Sequence, residues 1–143
     1  TNTGFAVGST VALNEEYVRL PADLAYWGEK FAVATREHLR AKLQVDQMQA
    51  RLSIEIRERL AAEGTKTTEA LIGAHVEKAE EYQQARLRVI EAEVEHVRIR
   101  CLLDAVRAKR EMLVSLGAQI RAEMQGDPQL REEMLGRRRA QEG

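Results

Sequence analysis

YQQARLRVIEAEVEHVRIRCLLDAVRAKREMLVSLGAQIRAEM, residues 82–124, decides the fold. Tyr82, Ala85, Val89, Ala92, His96, Ile99, Leu103, Val106, Arg110, Leu113, Gly117, Ile120 and Met124 follow one another at alternating spacings of three and four, with no proline between them. That period runs a stripe down one side of a single long helix and requires a second helix to cover it. Another row, Leu87, Val94, Cys101, Ala108, Ser115 and Ala122, recurs every seven residues with Ile90 and Val97 beside it. At roughly 100° per residue this row lies almost opposite the first. A helix that is apolar on two sides needs more than one antiparallel neighbour, so the segment predicts self-assembly as well as a hairpin.

Upstream, Leu24, Trp27, Phe31, Ala34, His38, Ala41, Val45, Met48 and Leu52 keep the same spacing. Pro21 suits a first helical turn, which predicts a helix over about 21–62 that stops at Gly64. TKTTEALIGAHVEKA, residues 65–79, predicts a short helix over about 67–78, capped by Thr67 or Thr68 and apolar at Leu71, Ile72 and Val76. The third helix is expected over 80–125. After it, Asp127 as cap and Pro128 at the first position start a short helix carrying Leu130, Met134 and Leu135, followed by a frayed basic tail from Gly136. Gly117 interrupts the seam, where a close helix crossing would account for it. Residues 1–20, rich in glycine and β-branched residues, are expected to form an extended arm docked on a neighbour, with a loose tail as the alternative. The fold class is all-α: a long antiparallel helical hairpin with a short intervening helix, divided into an arm (1–20), a helical domain (21–126) and a short helix with basic tail (127–143).

Composition points to an interaction protein. Of 143 residues, 31% are charged and 4% aromatic, so much of the chain must coat helix exteriors and only a thin core is possible. The formal net charge of −1 neither favours nor opposes nucleic acid. A single cysteine rules out an intrachain disulfide and suits a reducing compartment, and the expected location is cytoplasmic. With no run of eighteen apolar residues, no membrane span is expected, and the first residues lack the basic and apolar regions of a signal peptide.

No catalytic signature is present: no phosphate-binding glycine loop, no paired cysteines, no metalloprotease histidine spacing. The chain therefore reads as non-enzymatic, without metal or cofactor. His38 and His96 occupy seam positions on different helices and read as register-setting hydrogen bonders, with a metal or pH role as the sharper alternative. Cys101, in the small-residue row, reads as a buried hydrophobe, and Tyr26 and Trp27 as core. Arg98, Arg100, Arg107, Lys109 and Arg110 cluster against the lone Asp104, and Arg86, Arg100, Arg107 and Arg121 share one heptad position. These cations either pair with glutamates of a neighbouring helix or form a track for a phosphate backbone. Arg51, Arg57 and Arg59 form a second basic set, interleaved with Glu55 and Glu58.

LLDAVRAKREMLVSLGAQIRAEM (102–124) resembles the final helix of phage recombination mediators of the UvsY type, and QARLSIEIRERL (49–60) resembles the basic segment that ends that family's early helix. The order of helix, polar break, short segment and long terminal helix is similar too, over residues 22–125. The resemblance implies a ring-like homo-oligomer assembled through the terminal helix, which maps onto Leu103, Val106, Leu113 and Ile120. It also implies sequence-independent binding of single-stranded DNA, loosening of single-strand-binding protein and loading of a RecA-like recombinase, in the host cell cytoplasm if the chain is phage-encoded. Arg51 matches the arginine of the family's basic string, whereas Gln49 stands where the family has lysine. The expected DNA-binding residues are thus Arg51, Arg57, Arg59, Arg100, Arg107, Lys109 and Arg110. The alternative is a helical scaffold or adaptor that binds no DNA.

Overall fold

The computed structural model describes the backbone of residues 3–126 and 128–142; Asp127, the expected cap of the last helix, lies outside the described residues, as do the side chains of Leu130 and Met134. Four helices follow in order: α1 (Thr3–Ala62), α2 (Glu69–Lys78), α3 (Glu80–Gly126) and α4 (Pro128–Glu142), and no strand occurs among the described residues. The chain divides into two units, Tyr26–Leu103 and a second made of Thr1–Ala25 with Asp104–Gly143.

In the unit Tyr26–Leu103, the seam residues of α1 and α3 meet as an antiparallel pair. Thr35 meets His96 and Arg51 meets Glu81, so ascending numbers on α1 face descending numbers on α3. Every expected seam position between Trp27 and Leu52, and between Tyr82 and Leu103, is buried or half-buried. Ala34, Ala41 and Ala85 are among the buried ones, and their small side chains let the two backbones approach. At the connecting end α2 closes the unit: Ile72 and Val76 pack on Leu52, Ile56 and Leu60, with Met48, Leu71, Ala79 and Tyr82 around them.

The connections follow local chemistry. The Thr65 amide donates to the Leu60 carbonyl and the Gly64 amide to the Ala61 carbonyl, the paired bonds of a Schellman ending. Gly64 supplies the positive φ (73°) that this ending requires. Thr68 caps α2: its hydroxyl accepts from the Leu71 amide at 3.2 Å. Glu80 and Glu81 open α3, where the helix dipole favours negative charge.

The second unit corrects the expected extended arm. Residues 3–20 are helical, and α1 passes through Pro21 instead of starting there. Leu13, Tyr17 and Leu20 fall at helical spacing, Leu20 is buried, and the Tyr17 hydroxyl donates to the Leu113 carbonyl of α3. An interior proline costs ~3 kcal/mol, and the packing of these three side chains opposes that cost. Tyr17 also explains Gly117. Its hydroxyl oxygen lies 3.1 Å from where a Cβ on residue 117 would stand, so the seam glycine makes room for a phenol rather than for a crossing backbone. The basic tail differs from expectation as well. α4 runs through Gly136 to Glu142, since Arg137, Arg138 and Arg139 are good helix formers that offset one glycine.

Candidate nucleic-acid interface

The expected DNA-binding cations have different fates. Arg51 reaches from α1 to α3, its Nη2 2.7 Å from Glu81 Oε2, with Glu55 3.8 Å from its Nε. Arg57 Nη2 lies 2.7 Å from Glu69 Oε1 at the start of α2. Arg107 stays on its own helix, 3.5 Å from Asp104. Lys109 pairs with Glu16, and the hydrogen bond it donates, together with its charge, holds that carboxyl below the usual carboxylate range. Heptad spacing puts Arg110 in the seam, but it is exposed and Lys109 takes the half-buried place. Arg59, Arg100 and Arg110 make no ion pair among the described residues.

Two of the broader grooves in the unit Tyr26–Leu103 carry mixed charge. One, of about 640 Å³, holds Lys30, Arg40 and Arg88 against Glu37, Glu91 and Glu95. The other, of about 760 Å³, holds Arg59, Lys78 and Arg88 against Glu55, Glu80 and Glu81. The opposite side of the hairpin is different. There Lys42, Asp46, Arg86 and Ile90 line one groove. Arg100 and Val97 belong to the same face, because residues seven or fourteen apart on α3 nearly superpose at 100° per residue. Lys42, Arg86 and Arg100 have no ion-pair partner among the described residues, while Asp46 and Glu93 are the acids of that face. Sequence reasoning placed Arg86 in the heptad row but missed Lys42, which only the hairpin brings opposite it.

Between these faces lies a histidine pair. The His38 and His96 rings stand 5.5 Å apart and Phe31 stacks on His96 at 5.0 Å. The Thr35 hydroxyl donates to the Phe31 carbonyl at 2.8 Å, which uses its only proton. His96 Nε2, 3.0 Å away, must therefore donate to Thr35 Oγ1, which fixes the neutral ring's tautomer. His96 thus makes the single hydrogen bond expected of a seam histidine, whereas the buried His38 Nε2 finds no hydrogen-bond partner among the described residues. No group of three or more metal-ligating side chains occurs among the described residues.

Two apolar expectations are corrected. Cys101 is exposed, because the described residues leave the second row on α3 uncovered. Tyr26 is exposed too, edge-on to Trp27 at 5.1 Å with Lys30 Nζ 5.5 Å from its ring. Leu103 and Leu113, expected in an oligomer interface, are buried by the chain itself, and Val106 and Ile120 are half-buried. No helix among the described residues is long and apolar enough to cross a membrane. Compared with protein-family models, curated proteins and solved structures, the chain matches none.

Proposed function

We propose that this chain is a non-enzymatic, self-assembling helical protein that binds single-stranded DNA without sequence preference and acts as a recombination mediator, loosening single-strand-binding protein and helping to load a RecA-like recombinase. The observation that carries the reading is the face bearing Lys42, Arg86 and Arg100, three cations without an ion-pair partner among the described residues, one from α1 and two from α3. The helix order supports it, since α1, α2 and α3 follow the layout that the UvsY-type resemblance implies. Near-neutral net charge weighs against tight binding by one copy. Assembly offsets this by repeating the face along one strand, so that weak contacts add.

The paired arginines do not oppose the proposal. Arg51, Arg57 and Arg107 are more than half exposed, as are their carboxylate partners. Such surface pairs contribute roughly 0–1 kcal/mol, and a phosphate can take the carboxylate's place. The same pairs favour the second reading, a helical scaffold whose arginines serve only to tie helices together. Replacing Arg86 and Arg100 by Ala separates the two. As phosphate contacts, their loss lowers the salt slope of oligo-dT binding by about 0.7 per contact and leaves the oligomer mass unchanged. A changed mass with unchanged DNA affinity supports the scaffold instead.

A further inference from the structure

The hairpin leaves an apolar row on the back of each helix. On α1 it runs through Ala32, Leu39 and Leu43 to Ile54, with Leu39, Leu43 and Ile54 all more than half exposed. On α3 it runs through Leu87, Ile90, Val94 and Val97 to Cys101, also exposed. Each row lies roughly 150° from its own seam at 100° per residue. One row therefore points away from α3 and the other away from α1, and a single copy cannot bring its two rows together. A two-fold dimer through like rows would cover one kind and leave the other open.

We propose that the partner is a second copy of this chain, packed head to tail, with the back of α1 in one copy against the back of α3 in the next. The inference rests on reading the chain as self-assembling and requires no DNA. In a closed ring every α1 and α3 stands at the same height, so the interface repeats the register of the intrachain pair, in which Thr35 meets His96 and Arg51 meets Glu81. That register sets Leu39 near the level of Val94, Leu43 near Ile90, and Ala32 near Cys101, each within one to two residues, a rise of about 1.5–3 Å. Both rows are complementary in size as well, two leucines meeting two β-branched residues and an alanine meeting a cysteine. Charge matches too: Arg36 and Arg40 border the α1 row and Glu91 borders the α3 row on the same side of the hairpin, with Arg40 level with Glu91. Because the contact joins unlike surfaces, it propagates to a ring or a filament and does not stop at two. The interface thus lies on the outer backs of the hairpin and leaves Leu103 and Leu113 to the intrachain seam.

The chain's own cysteine supplies the test. The Ala32→Cys variant, with native Cys101 retained, is oxidised as the purified full chain without DNA and run on a non-reducing gel. Ala32 and Cys101 are both exposed, so the substitution leaves the hairpin core untouched. Head-to-tail packing yields a ladder of three and more covalently linked chains that a reductant collapses; the unsubstituted chain forms no ladder, and adding Leu43→Glu abolishes it. A second measurement follows the oligomer mass by light scattering: Arg40→Glu lowers it, and Glu91→Arg in the same chain restores it. A gel that stops at dimers, or shows no more linking than the unsubstituted chain, overturns the interface. If the ladder forms in a chain that does not bind oligo-dT, the interface stands and the DNA reading falls; DNA binding without a ladder gives the reverse.

Discussion

Replacing Gly117 by Ala tests whether the first turns of α1 dock on α3 as described. In an unobstructed helix interior, Gly→Ala stabilises by about 1 kcal/mol. Here the new Cβ stands 3.1 Å from the Tyr17 hydroxyl, closer than an ordinary contact, so the phenol must shift by a few tenths of an ångström. That hydroxyl donates to the Leu113 carbonyl, and weakening the bond costs ~0.5–1.5 kcal/mol. Gain and loss nearly cancel, and Gly117→Ala is expected within about 1 kcal/mol of the parent, neutral or destabilised. In a Tyr17→Phe background the hydroxyl is gone and the full ~1 kcal/mol gain returns. Urea unfolding followed by circular dichroism on the four chains of this cycle should give a coupling of about 0.5–1.5 kcal/mol. Equal stabilisation by Gly117→Ala in both backgrounds would refute the packing of Tyr17 on Gly117, and with it the helical reading of residues 12–20.

Other consequences are open to direct measurement. Ile56→Ala removes a side chain from the cluster shared by α1 and α2 and should destabilise by roughly 2–5 kcal/mol, whereas Ile54→Ala, on the exposed back, should change monomer stability little. Thr68→Ala deletes the α2 cap and should cost about 0.5–2 kcal/mol, with faster amide exchange in the first turn of that helix. Lys109→Met should raise the Glu16 carboxyl in an NMR titration, because the hydrogen bond and charge from Lys109 are what lower it. A depressed folded-state carboxylate contributes stability at pH values above its ordinary range, and that contribution fades as pH falls through the lowered value. An unchanged Glu16 titration in Lys109→Met would show that the pair does not form.

The seam was legible because a long heptad has one solution, a stripe along one side of a helix: eleven of the thirteen positions are buried or half-buried, and only Arg110 and Met124 among them are exposed. Gly64 announced the end of α1, and Thr67 or Thr68 the start of α2, through chemistry few other residues supply. The first twenty residues misled because Gly4 and Gly8 beside Val7 and Val11 lower local helix propensity, and Pro21 reads as a start. What overrides them is tertiary, the docking of Tyr17 and Leu20, which residue-by-residue propensity does not contain. Of the candidate site, the arginine row was visible, and so was the option of ion pairing. The choice for each arginine was not, since it depends on which carboxylate the fold brings near. Arg107 finds Asp104 three residues away, a pairing spacing allows, but Arg51 finds Glu81 thirty residues away. Lys42 could not be associated with Arg86 until the hairpin register was known.

The most direct test of the central proposal is a titration of labelled oligo-dT with the purified chain at two salt concentrations, followed by anisotropy. The account predicts binding at low salt that weakens steeply at the higher concentration, as each neutralised phosphate releases its counterions. No binding at low salt, by a chain shown to be folded and assembled, would contradict it and leave the helical scaffold as the reading of the molecule.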